Sequence, residues 1–304
     1  MGIQVEWGRG VWIRRAAASL AGLAGLLCAS AAWADRLPHV DDIQILPSLP
    51  LADHLSITPN VGTDVTVGGA FYKGEPGGVS GAGSLFGAAI SGPTTLSSHT
   101  SSFDQVFTQP AQLGINLNYG LSNRDEASLG FTWFHASGKQ FDMFTSSSAV
   151  TWGNQPIAAG SVIRGQFSHD DEFGLEAGYR HFFDVGDWAG FHPYIGAMLG
   201  MKRVENIELT LRTQSGDPIA TDIHFYNAGL IGDAGMTFGL RYDIGQLLAL
   251  GIESGFRYEG PLNPNKTYFN GTEFQGMNSA GDRWEIPALL TLTAKFDTIG
   301  KLLK

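Results

Sequence analysis

The chain has a single cysteine in 304 residues, Cys28, and it falls inside the N-terminal leader described below. The remainder therefore carries no disulfide, no reactive thiol and no cysteine-ligated metal. Basic residues are scarce as well: 19 Lys and Arg stand against 29 Asp and Glu, a net charge of −10, and they are scattered along the chain. A nucleic-acid binder needs a basic stripe or patch, so that class is excluded. Past the leader, no apolar run reaches the roughly 20 residues of a membrane-spanning helix. A phosphate-binding P-loop, a dinucleotide-binding glycine fingerprint and an HExxH zinc motif are also missing.

What is present begins with the leader. Val11 to Arg15 end in a basic pair, an apolar run extends from Ala16 to Cys28, and Ala32-Trp33-Ala34 precedes Asp35. A basic start, a short apolar core and a small-residue exit make a secretory signal peptide at 1–34. Leu27 is not small, which argues against lipidation at Cys28. Residues 35–55, with Pro38, Pro47 and Pro50, form an extended periplasmic lead-in. The rest combines 41 glycines, 11% aromatics and only 16% charged residues with a mean hydropathy near zero. A membrane protein without spanning helices has one solution, a closed barrel whose backbone hydrogen bonds all run between strands.

Strict alternation of apolar and polar residues supports that architecture. In Trp284 to Phe296 the even positions Trp284, Ile286, Ala288, Leu290, Leu292, Ala294 and Phe296 suit lipid, while Glu285, Thr291, Thr293 and Lys295 take the other face. The pattern recurs in Leu113–Leu121, Ala127–Trp133, Phe173–Tyr179, Phe191–Met201, Tyr226–Tyr242 and Leu250–Tyr258, and more weakly in Thr63–Tyr72. These segments predict an all-β, antiparallel transmembrane β-barrel of about eight strands over 56–296, with a tail at 297–304. The parity of the sixth segment changes near Phe225, which predicts a bulge. Short links at Ser122–Arg124, Asp184–Gly190 and Asp243–Gln246 alternate with long ones at Lys73–Ala111, Gly138–Asp171, Arg203–Phe225 and Glu259–Arg283. Outer-membrane barrels alternate periplasmic turns and extracellular loops in this way. A soluble β-sandwich also alternates apolar and polar residues; against it weigh these alternating connection lengths and the charges set among many glycines on the second face, which suit a narrow barrel interior where each meets an opposite partner.

The placement of aromatics and charges refines the picture. Trp133, Phe71, Tyr226, Tyr258 and Trp284 fall at the outer strand ends, and Tyr119, Phe183, Phe191, Tyr242 and Phe296 at the inner ends, as two interfacial girdles would require. Glu176, Arg180, Asp233, Arg241, Glu253, Arg257, Glu285 and Lys295 lie on the inward face and form a predicted lumen network. Such charges either line a narrow pore or fill the lumen as a static ion-pair plug; eight strands enclose only enough room for side chains, which favours the plug. Val150–Trp152, Ser161–Phe167 and Ile207–Leu211 flank turn-rich clusters and predict two tall hairpins above the bilayer, whereas Gly74–Ser102, rich in Gly and Ser, reads as a flexible loop.

The run His192-Pro193-Tyr194-Ile195-Gly196-Ala197-Met198-Leu199-Gly200, followed by Gly235-Met236-Thr237-Phe238-Gly239-Leu240-Arg241-Tyr242-Asp243, resembles the OmpA-like outer-membrane β-barrel superfamily. The closing strand ending at Phe296 is similar to that group's aromatic assembly signal, although Asp297–Lys304 follow it here. The resemblance implies a location in the bacterial outer membrane, insertion by the barrel-assembly machinery, and contact with outer-membrane lipid and lipopolysaccharide. No peptidoglycan-binding domain follows, so the tethering role of full OmpA is not implied.

Three short constellations bear on chemistry. His135-Ala136-Ser137 resembles the His-x-Ser arrangement of outer-membrane lipid A deacylases, in which His deprotonates Ser, but the sequence offers no third orienting residue. Asp222-Ile223-His224 resembles the Asp/His pair of omptin proteases, which requires a second acidic pair. His169-Asp170-Asp171-Glu172 offers carboxylates to a divalent cation. In each case a polar residue at the membrane–water boundary is the simpler account. The sequence thus predicts a non-enzymatic surface barrel without cofactor or metal, acting through loops whose ligand it does not specify. A small passive channel stands second and an outer-membrane hydrolase third.

Overall fold

The computed structural model describes residues 51–74, 76–79, 83–184, 190–267, 274 and 276–296. The expected signal peptide at 1–34, most of the expected lead-in and the tail at 297–304 lie outside the described residues.

Eight antiparallel strands close into a barrel: β1 Leu55–Gly68, β2 Ala111–Gly120, β3 Asp125–Ser137, β4 His169–Phe182, β5 Phe191–Val204, β6 Gly229–Ile244, β7 Leu248–Glu259 and β8 Arg283–Phe296. Each pairs with its sequence neighbour, and closure comes from β1 against β8, with Leu55 opposite Phe296 and Val61 opposite Leu290. The pleat sends alternate side chains outward. Leu113, Ile115 and Leu117 on β2, Leu129 and Phe131 on β3, and Leu290 and Leu292 on β8 are all exposed. Similar rows on the other strands make a continuous apolar belt. A belt of this size is alien to a soluble monomer, so the soluble sandwich is discarded.

The first strand differs from its predicted position. It runs from Leu55 to Gly68 and not from Thr63 to Tyr72. Its outward positions include Pro59 and Thr63, which break the apolar row that sequence inspection relies on. The ladder to β8 is interrupted between Ile57 and Asn60, where Pro59 has no N–H to donate. β6 likewise begins at Gly229; the preceding residues Pro218–Asn227 form a separate strand outside the barrel. In that strand the register against 207–212 slips between Ile207↔Tyr226 and Glu208↔His224, so Phe225 is the bulged residue.

Chain connections at one barrel end are short: 121–124, 183–190 and 245–247, the last turning at Gly245 with φ +67°. Those at the other end are long and fold into a cap. Its larger sheet orders seven segments as 263–264, 218–227, 207–212, 162–167, 140–146, 94–97 and 76–79. Its smaller sheet pairs two hairpins, in the order 155–157, 150–152, 88–91 and 83–85. The two tall hairpins are thus present. The segment Gly74–Ser102 is not an unstructured loop, however: it supplies four of these strands, which its Gly and Ser content concealed.

The cap has an apolar core of its own. Phe71 is fully buried, with ring centroids of Phe167, Phe103, Phe107 and Tyr226 at 4.7, 4.9, 5.0 and 5.2 Å. Trp152 donates from Nε1 to Leu85 O at 3.3 Å, and the Asn278 amide donates to the carbonyls of Phe225 and Asn265, both at 2.8 Å. Phe71 and Tyr226 therefore belong to this core and not to the outer girdle. The helical turn α1, Phe103–Val106, sets Phe103 and Val106 at the core's base, its start closed by Ser102 N–H donating to Gln105 Oε1 at 3.0 Å. Trp284 and Tyr258, ring centroids 5.1 Å apart, stand at the strand ends beneath the cap, and Tyr119, Phe183, Phe191, Tyr242 and Phe296, at the ends near the short turns, are all exposed.

Candidate functional site

The lumen holds the residues with the greatest chemical content. Inward-facing glycines make room for them: a Cβ on Gly200 would stand 2.3 Å from Asp233 Oδ1 and 2.8 Å from Glu176 Cγ. All eight predicted network residues line this interior. Seven are at most 9% exposed, and the Arg180 side chain is 12% exposed.

Ion pairing sorts the interior into three groups. Nearest the short turns, Arg180 meets Glu126 at 3.2 Å and Glu253 at 2.9 Å, Arg241 meets Glu126 at 3.5 Å and Asp243 at 3.7 Å, and Lys295 meets Asp243 at 2.7 Å. Tyr194 donates to Glu253 at 2.7 Å, while Phe182 lies under the Arg241 guanidinium at 4.2 Å. In the middle, Arg257 bridges Glu176 at 3.4 Å and Asp64 at 3.7 Å. The Gln112 amide, with its nitrogen toward Asp64, donates to both carboxylate oxygens at 2.6 and 2.9 Å. Under the cap, Arg283 contacts Glu285 at 2.7 Å and Asp170 at 3.4 Å, and closer still Glu172 and Glu259; Lys202 reaches Glu172 at 3.3 Å and also Glu259. The Asp233 carboxylate accepts no hydrogen bond among the described residues.

The lumen network read from the sequence left out Asp64, Glu126, Asp170, Glu172, Lys202, Asp243, Glu259 and Arg283, with Asp170 and Glu172 considered instead as cation ligands. The signal for several was available, since each lies at the parity of a predicted inward residue on its own strand. Buried charge is tolerated only where opposite charges and hydrogen bonds compensate it. Here the pairs do so for each of these charges except Asp233, whose carboxylate has no such partner among the described residues. Arg283 also joins the lumen to the cap: its guanidinium lies 4.6 Å from the Phe103 ring and 5.2 Å from that of Phe134, and both rings belong to the cap core.

Outside the barrel, at the rim below the cap, β3 and β4 pair His135 with Asp171 and Ser137 with His169. His135 Nδ1 lies 2.6 Å from Asp171 Oδ1, and the Ser137 hydroxyl lies 3.3 Å from His135 Nε2. The second carboxylate oxygen of Asp171 meets His169 Nε2 at 3.2 Å. The third residue that the sequence did not reveal is therefore Asp171, 36 positions from His135 in the chain but adjacent across the ladder. The same alternation separates the carboxylates of the candidate divalent-cation site. His169 and Asp171 face outward, whereas Asp170 and Glu172 turn into the lumen toward Arg283 and Lys202, and no group of metal-ligating side chains gathers among the described residues. His224 faces Glu208 at 3.4 Å and not Asp222, whose backbone sits in the left-handed region at φ +57°, so the protease-like pair is not assembled.

A closed antiparallel barrel with short turns at one end, long connections at the other and an apolar outer belt is the architecture of outer-membrane β-barrels. No protein-family model matches the chain, and no curated protein matches it in sequence. Among solved structures it is similar to Neisserial surface protein A, at 11% identity over 80% of this chain and 97% of that one, with a TM-score of 0.33. It is similar to the N-terminal β-barrel domain of OprF from Pseudomonas aeruginosa, at 11% identity over 81% and 98%, TM-score 0.33. A third is Ail, the attachment invasion locus protein of Yersinia pestis, at 10% identity over 80% and 97%, TM-score 0.31. The eight-stranded fold rests on the strand pairing above, independently of these likenesses.

Proposed function

We propose that this protein is an integral outer-membrane barrel whose folded cap faces the cell exterior and presents a binding or structural surface, while the lumen stays closed to solutes. The observation that carries this reading is the joint filling of the interior: the charged lumen side chains, Asp233 apart, are held in ion pairs and almost wholly buried, and a cap with its own aromatic core covers the end of the barrel. A wide aqueous pore needs a larger strand number. Short turns would face the periplasm, which sets Phe191, Tyr242 and Phe296 at the inner interface and Trp284 and Tyr258 at the outer one.

The orientation is tested with epitope tags in the assembled protein. A tag between Ser215 and Gly216, at the tip of a cap hairpin, should be accessible to antibody on intact cells, and a tag at Asn123 only after the outer membrane is opened. The reverse pattern overturns the orientation; recovery of the protein in the soluble fraction overturns the membrane placement.

A further inference from the structure

The rim cluster on β3 and β4 is unused by the function proposed above, and its geometry is specific. Asp171 accepts from His135 Nδ1–H, which leaves the Nε2 lone pair to accept from the Ser137 hydroxyl. That is the order of contacts in a nucleophile–base–orienter relay. The 3.3 Å Ser–His separation exceeds the roughly 2.6–3.2 Å of a working pair but lies within the looser range of unliganded sites. Ser137 is itself fixed, since its N–H donates to Thr108 Oγ1 at 3.1 Å and its carbonyl accepts from Thr108 N at 2.8 Å.

What lies beneath the cluster indicates a substrate. Continuing down the same two strands on the same outward face, the pairs are Trp133 with Phe173, Phe131 with Leu175, and Leu129 with Ala177. The Trp133 ring stacks on His135 at 5.9 Å, and Phe131 and Phe173 lie 6.5 Å apart. A polar relay thus tops an apolar stripe running down the belt, so an ester bond at the height of Ser137 would have its acyl chain lying along that stripe. We propose that Ser137, His135 and Asp171 form a serine-hydrolase site for long-chain acyl esters of lipids in the outer leaflet. Ser137 is the nucleophile, His135 the general base and acid, and Asp171 the positioning residue.

The reaction consumes only ester and water. Ser137 Oγ attacks the acyl carbonyl carbon as His135 Nε2 takes the hydroxyl proton. The tetrahedral adduct collapses, and the departing alkoxide takes that proton, leaving the acyl group on Ser137. Water, deprotonated by His135 Nε2, then attacks the acyl-serine, releasing the fatty acid and returning the proton to Ser137. Turnover should be slow. The N–H groups of Ser137 and Gly138 already donate to Thr108 and Ser168, so they are not free to stabilise the oxyanion, and a missing oxyanion donor costs on the order of 100–1,000-fold in rate.

The choice of a lipid ester rests on the membrane placement proposed above; the reactivity of Ser137 does not. The mature protein, folded in detergent micelles and checked by heat-modifiable gel mobility, is treated with a long-chain alkyl fluorophosphonate, and the adduct is located by peptide mass spectrometry. Labelling at Ser137 is expected, abolished in Ser137→Ala and slowed about 100- to 10,000-fold in His135→Ala. Asp171→Asn should slow it strongly, whereas Asp171→Glu, which keeps an acceptor for Nδ1–H, should restore part of the rate. A folded barrel unlabelled at Ser137 overturns the triad, as does equal labelling in His135→Ala. Vesicles of diacylphospholipid and of lipopolysaccharide, incubated separately with the protein, then identify the source of the ester by Ser137-dependent fatty-acid release. Labelling without release from either vesicle overturns the lipid substrate and leaves the orientation of the barrel, tested by the tags, untouched.

Discussion

Replacing Arg283 by Met is the sharpest perturbation of the lumen. The Arg283 side chain is fully buried and contacts four carboxylates: Glu285 at 2.7 Å, Asp170 at 3.4 Å, and Glu172 and Glu259 closer still. Methionine fills much of the volume but leaves Asp170 and Glu285 without a cation, and leaves Lys202 alone against Glu172 and Glu259. Stranding one partner of a buried pair costs about 3–5 kcal/mol. Loss of stacking between the Phe103 and Phe134 rings adds about 0.5–2 kcal/mol. The expected destabilisation is therefore about 3.5–7 kcal/mol. It is read from urea titrations of the barrel folded in lipid vesicles, followed by tryptophan fluorescence and gel mobility. The transition midpoint should fall without a change in slope. Adding Asp170→Asn and Glu285→Gln to Arg283→Met should recover at least half of the loss, because the two carboxylates left without a cation become neutral amides. A single variant within about 0.5 kcal/mol of the parent would refute the reasoning, as would a triple variant no better than the single one.

Other consequences follow from the cap and the belt. Phe71→Ala removes a fully buried ring from an aromatic cluster and should destabilise the cap by about 3–5 kcal/mol; limited proteolysis should cut the cap at lower protease concentration while gel mobility still reports a closed barrel. Burial pushes the phenols of Tyr226 and Tyr72 above their ordinary range. Their contribution to cap stability is thus fully present below about pH 10 and is lost as pH rises beyond it; the difference between phenolate absorbance titrations of the parent and Tyr226→Phe should appear well above pH 10. Phe296→Asp places a charge at the belt's edge, where the intrinsic cost is only about 0–1 kcal/mol. Refolding into vesicles should stay near normal while the yield of folded protein in cells falls several-fold, and equal losses in both assays would remove the role of Phe296 as an assembly signal.

The barrel was legible because its outward face obeys a simple rule. Wherever a strand such as Trp284–Phe296 alternates without interruption, lipid contact on one side and packing on the other leave one parity for apolar residues. β1 was misplaced where Pro59 and Thr63 occupy outward positions, so the strand satisfies its backbone partners without showing the pattern. The cap was harder to see for a different reason. Its strands are short, and its core is assembled from four separate connections, so that Phe71, Phe167 and Phe225 meet only in the folded chain. Local composition, dominated by Gly and Ser between 74 and 102, pointed instead to a flexible loop. The inward charges were half visible: Glu176 and Arg257 stood out among glycines, whereas Glu172 and Arg283 lay at strand ends that the pattern did not reach. The rim relay shows the limit most clearly, because His135 and Ser137 are neighbours in sequence and Asp171 is their neighbour only across the ladder.

The claim that the lumen is closed is tested most directly by planar-bilayer recording of the refolded mature chain at neutral pH. A filled interior predicts insertion without conductance: no unit steps above the bilayer background, in a preparation whose gel mobility proves it folded. Stable, uniform steps from that same preparation would contradict the account and make the barrel a channel.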